Sequence, residues 1–393
     1  MLKREKRRGS MNSFVIDPVE LSQKLIRCNS VTPQDDGALD IVANTLSAHG
    51  FQIERLRFEG NNSYPVDNIF AIIGSGSPHI CIMGHTDVVP VGDVTQWSYD
   101  PFGAVIDNGI LYGRGAADMK TGVANGITAA IQFLREHPLC GTISFLITGD
   151  EEADSINGTA KVIDWMKAQN KLPDDALVCE PSNPETMGTL FRTGRRGSYS
   201  GELIVYGKQG HSAYPNLFVN PVERMIRLTS LLIDYEWDQG NEFMPKTHLA
   251  MTSIDVGNTS RNTVPAKASA KFNIRFNNLW TSKTIDKKLH EILSAADIPY
   301  ELTYRSNSES FLTSSGRLTE ALVKAVETIS NKTPIADTGG GTSDARFIAP
   351  YCPVIEYGLI TKTNHQVDEH MKIENIYTGA KTYLEFLKLY FKG

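Results

Sequence analysis

Residues His79–Pro90 read HICIMGHTDVVP: an apolar run over Ile80–Met83, a glycine, then His85 and Asp87. A short apolar run bounded by a turn-prone residue is the pattern of a buried strand, and open α/β sheets place their ligands just outside strand ends. Residues two apart in an extended backbone share a face. One imidazole nitrogen of His85 can therefore meet a metal while Asp87 fixes the other. The pair alone is equally what a loop histidine beside a chance aspartate looks like.

Working outward, apolar runs alternate with a helical pattern: Ile69–Ile73, Ile80–Met83, a helix over Gly122–Leu134, then Ile143–Thr148 and Ala176–Cys179. This alternation predicts an α/β sheet. From Ser198 the texture changes to strict alternation, in Leu203–Tyr206 and Ala268–Arg275, around a helical stretch at Pro221–Tyr235, which reads as a separate α+β module. The α/β texture then resumes with a helix over Leu318–Ile329, a strand over Pro353–Tyr357 and an amphipathic helix over Ile376–Phe391. The expected organisation is a domain of residues 12–196 and 308–393 interrupted by an inserted module of residues 197–307, after a basic tail of residues 1–11.

Composition narrows the class. The chain has 393 residues, 41% apolar and 21% charged, in the range of a globular enzyme. No apolar run reaches the roughly 18–20 residues of a membrane helix, so no membrane partner is expected. The first ten residues, MLKREKRRGS, hold five Lys/Arg against one Glu, with no apolar stretch behind them to serve as a secretory leader. Past that tail the chain is more acidic than its net charge of −6, the wrong sign for nucleic acid. The five cysteines are scattered and contain no CxxC, which points to free buried thiols in a reducing, cytoplasmic compartment.

Four further segments repeat the opening pattern. In GRGAADMKTGVANGI, Asp118 precedes the helical pattern, where it could cap the helix or bridge two cations, which two-metal sites hold about 3.5–4 Å apart. TISFLITGDEEADS is an apolar strand that ends in Asp150, Glu151 and Glu152, three carboxylates that repel one another unless cations offset them; a solvated acidic loop is the bland alternative. Glu180 closes the strand ALVCEPS, and His365 in TKTNHQVDEH lies beyond a fifth, with His370 as a competitor. Each residue has a structural excuse singly, but all share the same address. Imidazole and carboxylate donors without thiolate suit zinc, and also manganese or cobalt.

In order, GHTDVVP, GRGAADMKTG, GDEEADS, CEPS and TNHQVDE resemble the zinc-dependent aminoacylase/carboxypeptidase family. Further motifs, GRRGSYSGELIVYGKQGHSAYP, GNTSRNTVPA, FNIRF and GGTSDARF, resemble those members that hydrolyse the amide of N-succinyl-LL-2,6-diaminopimelate, a small molecule with several carboxylates. The resemblance runs from Pro18 onward. It implies a zinc-peptidase-like α/β catalytic domain with an inserted ferredoxin-like α+β lid and dimerisation domain, in a homodimer. It also implies two zinc ions per subunit, one held by His85 and Glu180, the other by Glu152 and His365, with Asp118 as bridge. Glu151 is implied as general base, Asp87 as orienting group, and His211 as an oxyanion-supporting residue reaching across from the second subunit.

For the substrate carboxylates the resemblance implies Arg195, Ser198, Tyr214, Asn262, Arg275, Gly341 and Thr342. A hinge pair for Arg195 and Arg196, or a helix cap for Thr342, is what those residues would otherwise be. Arg261 and Thr361 stand where the family pattern leads one to expect asparagine. The rival activities are an acetylornithine deacetylase-like deacylase and a metallocarboxypeptidase. An acetyl group brings no carboxylate, so a site cut to acetylornithine needs fewer cations than GRRGS and FNIRF supply. A non-catalytic zinc scaffold would have no use for Glu151.

Overall fold

Three neighbouring parallel strands, Thr142–Thr148, His79–His85 and Asp175–Val178, are buried at every residue. This is why their sequences are mainly apolar and not alternating, since a parallel strand covered on both faces has no solvent side. Each buried Ile, Leu or Phe contributes roughly 1.5–3 kcal/mol. Phe145 is fully buried at the centre of this layer, and Phe145→Ala should cost about 3–5 kcal/mol. The computed structural model describes residues 14–392, so the basic tail expected over 1–11 lies outside the described residues.

These strands are the middle of an eight-stranded sheet in the order Gln52–Gly60, Ser63–Gly74, Thr142–Thr148, His79–His85, Asp175–Val178, Val354–Glu356, Leu190–Arg192, Ile335–Asp337. Helix Lys120–Glu136 packs close against this sheet because its inner face carries glycine. A Cβ at Gly122 would lie 2.5 Å from the Cys179 carbonyl oxygen, and one at Gly126 would lie 3.1 Å from Ile82. The glycines thus bring the start of the helix, which Asp118 just precedes, close to the segment that leads from strand Asp175–Val178 to Glu180.

The chain divides into two compact units. The first holds the described residues up to Thr193, then Thr313–Asp337 and Ser343 onward; the second holds Gly194–Leu312 and Thr338–Thr342. The sequence placed the inserted module at 197–307, so the observed unit is slightly longer at both ends. It also gains the Thr338–Thr342 loop, whose tie to it is long-range: Arg195 Nη1 donates to the carbonyls of Gly339 (3.0 Å) and Gly341 (2.9 Å).

Taken by itself, the second unit runs strand Gly197–Tyr206, helix Pro221–Asp234, strands His248–Asp255 and Lys267–Phe276, helix Ser282–Ser294, strand Glu301–Ser308. Its antiparallel sheet has the order His248–Asp255, Lys267–Phe276, Gly197–Tyr206, Glu301–Ser308, the ferredoxin-like split βαβ. The alternation in Lys267–Phe276 buries Ala268, Ala270, Phe272, Ile274 and Phe276 against Leu228, Leu232 and Leu289 of the helices, and leaves the intervening polar residues outside.

Among the described residues no helix is long and apolar enough to cross a membrane. All five cysteines are free, and four are buried; Cys140 is exposed, where the sequence reading expected burial.

Candidate metal centre

All five expected ligands lie in the first unit, at the ends of its central strands or in loops beside them. His85 is the last residue of its strand and is almost fully buried. Its Nδ1 lies 2.9 Å from the Asp87 main-chain oxygen. A carbonyl accepts only from N–H, so Nδ1 keeps a proton and Nε2 is the atom available for a cation. That Nε2 is buried with no hydrogen-bond partner, as is Oδ1 of Asp118, 3.4 Å away. Oε1 of Glu180 lies 3.7 Å from the same nitrogen.

Asp118 faces two ways. Its Oδ1 points to His85, and its Oδ2 is 3.5 Å from Nε2 of His365, which is 2.9 Å from Oε1 of Glu152. Ligand atoms about 2.0–2.2 Å from a tetrahedral zinc stand roughly 3.3–3.6 Å apart. The separations on the His85 side and across Asp118 are of that size. Donor atoms of His85, Asp118 and Glu180 lie within 4.8 Å of one another, as do those of Asp118, Glu152 and His365. Two triads sharing one carboxylate, with two orphaned buried donors, fit a pair of divalent cations.

Glu151 lies on the His85 side, its Oε2 4.0 Å from Nε2. It also falls in a third close grouping with His85 and Glu152, so its position alone does not separate base from ligand. Asp150, the first acid of the triplet, is structural: it accepts from Tyr64 Oη (2.6 Å) and from the amides of Ile156 (2.9 Å) and Asn157 (3.2 Å). Asp118 does not cap the following helix, whose cap position is Met119. His370 sits in a separate strand with its Nδ1 against the Asp368 carbonyl and its ring against Tyr112, outside either triad.

Two further buried carboxylates hold the ligand loops without entering the triads. Asp87 accepts from the amides of Glu151 (3.1 Å) and Glu152 (3.0 Å) and from Thr32 Oγ1 (2.8 Å). It therefore fixes the acidic loop as well as the imidazole, to which it contributes mainly its carbonyl. Glu369 accepts at Oε1 from the amides of Ala117 (2.8 Å) and Asp118 (3.0 Å), and its Oε2 pairs with buried Arg114 at 2.7 Å. Asn364 Nδ2 donates to Asp118 Oδ2 at 2.9 Å. Sequence reasoning missed Glu369, Arg114 and Asn364. The available signal was their position inside the motifs that carry Asp118 and His365.

The electrostatics show what the cluster lacks. Burial pushes the Glu151 carboxyl well above the usual carboxylate range, and Asp344, Glu152 and Asp118 add to this against His85. Glu180 is likewise raised, by burial and by Asp118 and Glu151. Hydrogen bonding to Asp118 and Glu152 lifts His365 to about 10. Burial would lower the pKa of His85, but the surrounding acids outweigh it and raise it well above its ordinary value. Asp118, despite burial, is held low by the two imidazoles. The cluster gathers protons because it is short of positive charge, which metal binding supplies.

The remaining expected residues belong to the second unit and form two groups. Ser198 and Arg275 are directly opposed across neighbouring strands, next to buried Arg195. Arg275 is half-buried, its pKa pulled down by burial and by Arg196 beside it. His211, Tyr214 and Asn262 lie beyond the other end of strand Gly197–Tyr206. His211 pairs with Thr263, Ser212 N donates to the Asn262 carbonyl (2.9 Å), and the Tyr214 ring meets that of His211 edge-on. Ten strand residues at about 3.3 Å each put roughly 30 Å between the groups. Within one unit they are not brought together. Gly341 is exposed and Thr342 half-buried in the loop held by Arg195.

Comparison with known proteins agrees with this geometry. The pattern of peptidase family M20/M25/M40 matches residues 81–389. The chain is 45% identical over 378 residues, 96% of its length and 98% of the relative's, to a succinyl-diaminopimelate desuccinylase of Rhodospirillum centenum. Among solved structures it is similar to an M20 family metallo-carboxypeptidase of Sulfolobus solfataricus (TM-score 0.75, 20% identity, 95% of this chain and 99% of the other). It is also similar to the Bacillus subtilis YXEP protein, described as a dinuclear metal binding peptidase (TM-score 0.66, 17% identity, 95% and 96% covered).

Proposed function

The chain belongs to peptidase family M20/M25/M40 and is a metal-dependent hydrolase; from that premise we propose that it hydrolyses N-succinyl-LL-2,6-diaminopimelate to succinate and LL-2,6-diaminopimelate, in diaminopimelate and lysine biosynthesis. The observation that carries the reading is the nearly full-length 45% identity to a desuccinylase, joined to a donor set in which Asp118 faces both histidines. The cations are two zinc ions per subunit, for which cobalt or manganese can substitute, held by His85 and Glu180 on one side and Glu152 and His365 on the other, with Asp118 shared.

When bound, such a pair polarises the scissile carbonyl and lowers the pKa of the attacking water. Glu151 takes that water's proton and passes it to the departing amine nitrogen. Asp87 keeps Glu151 and Glu152 at fixed positions through their amides. Glu152, paired with His365, serves as ligand.

Arg195, Ser198, Arg275, Gly341 and Thr342 hold substrate carboxylates, with guanidinium groups supplying the planar fork that carboxylates fit. His211, Tyr214 and Asn262, at the far end of the strand, serve the site of the other subunit in a homodimer, where His211 supports the developing oxyanion. Edge strand His248–Asp255 and the exposed Ile226 and Ile233 are surfaces through which two copies can pair. The enzyme works in the cytoplasm, in keeping with its free thiols.

The test is a side-by-side assay of succinyl-diaminopimelate, acetylornithine and a dipeptide with the zinc-loaded protein. The succinylated substrate should show the highest kcat/KM. Preference for either of the others overturns the substrate assignment.

A further inference from the structure

We propose that Glu369, with Arg114, is the positioning residue of the bridging carboxylate, and that it thereby couples the two metal positions. This rests on the two-metal reading of Asp118 given above.

The geometry has a counterpart on the other side of the centre. Asp87 grips two successive amides of the loop carrying Glu151 and Glu152, and Glu369 grips two successive amides, of Ala117 and Asp118. Each is a buried carboxylate that accepts from backbone N–H groups and thereby fixes where a ligand's own carboxylate can point. The partner of Glu369 is Arg114, four residues before Asp118. Arg114 also donates to the carbonyls of Gln366 (3.2 Å) and Pro90 (3.3 Å) and lies 5.2 Å from the centre of the Trp97 ring.

Glu369 is four residues after His365. The segment that delivers His365 to one triad therefore also sets Asp118, which both triads share. Asn364 adds a third tie, from the residue before His365 to Asp118 Oδ2. A defect at His365 removes a ligand from one position, whereas a defect at Glu369 misplaces the carboxylate common to both. In Glu369→Gln an amide N–H₂ faces either the Ala117 and Asp118 amides or Arg114, so one set of donors loses its acceptor.

The test uses chelator-stripped full-length protein titrated with Co2+, followed by calorimetry and by the visible d–d absorption of bound cobalt. The unaltered chain should take two ions, and His365→Ala should weaken one position. Glu369→Gln should weaken both together, by about 10- to 100-fold, with a changed cobalt spectrum. Glu369→Asp, which keeps the charge, should recover part of the affinity. If Glu369→Gln does not fold, Arg114→Lys, which keeps the charge but loses the fork, is read the same way. Two ions bound with unaltered affinity and spectrum, or loss confined to the one position that His365→Ala affects, overturns the proposal. An unaltered chain that takes fewer than two ions overturns the two-metal reading itself, and the coupling with it.

Discussion

The metal centre and the residues expected to read the substrate are built in opposite ways. In the first unit every expected ligand except His365 is largely buried, and the loops carrying Asp118, Glu151 and Glu152 are pinned by buried acceptors. In the second unit Tyr214 is 60% exposed, Asn262 and Gly341 are exposed, and Arg275 has no ion-pair partner among the described residues. A cation pair needs donors fixed to a few tenths of an ångström before it arrives, so its supporting contacts must be internal. Recognition groups can wait for the ligand, or for a second copy of the chain, to complete them.

The largest effect expected from this contrast lies on the metal side. Glu151→Gln should lower kcat by about 10²- to 10⁴-fold while metal content, read by atomic absorption, stays as in the unaltered chain. Loss of metal in that variant would make Glu151 a ligand, as its closeness to His85 and Glu152 also permits. On the recognition side, Arg275→Gln should leave metal content untouched and lower kcat/KM for succinyl-diaminopimelate by about 10- to 100-fold, the value of a charged hydrogen bond. Turnover of an acetylated analogue should change less. Equal loss on both substrates would remove Arg275 from carboxylate recognition.

A third effect follows from the proton affinity of the cluster. His365, raised to about 10, holds a proton at pH 7 before metal arrives, and His85 is shifted in the same direction. Metal must displace it, so uptake by the stripped protein releases protons and tightens by about tenfold per pH unit for each proton displaced, until the pH reaches the imidazole pKa. Calorimetry in two buffers of different ionisation enthalpy reads the count. Uptake without proton release would contradict the stated protonation.

The smallest effect on the metal side comes from Leu203→Ala, in the core of the second unit. It should cost about 2–5 kcal/mol of stability, read by denaturant melts, with metal affinity unchanged. A parallel fall in metal affinity would show that the two regions are not built independently.

The same contrast decides what could be read from sequence. The strands that end at His85 or shortly before Glu151 and Glu180 announce themselves because a run buried on both faces is mostly apolar, so a donor at or just past its end stands out. The alternation of Lys267–Phe276 gives the second sheet just as directly. Glu369 was harder to read: it lies inside the motif that carries His365, but an acid in VDEH reads as solvated, and only the fold reveals that it is fully buried against Arg114. The attachment of Thr338–Thr342 to the second unit was hidden for a related reason, since two backbone carbonyls accept from a distant arginine and carbonyls leave no trace in a sequence. The placement of His211 at the opposite end of a strand from Arg275 depends on register, which alternation alone does not set.

The most direct test of the central claim is to strip the protein with a chelator and add back Zn2+ in steps while following hydrolysis of succinyl-diaminopimelate. Activity absent without metal and complete at two ions per chain is the predicted result, with Asp118→Asn failing to regain activity at any zinc level. Full activity in the stripped protein, or an Asp118→Asn variant that recovers it, would contradict a centre built on Asp118 between two cations.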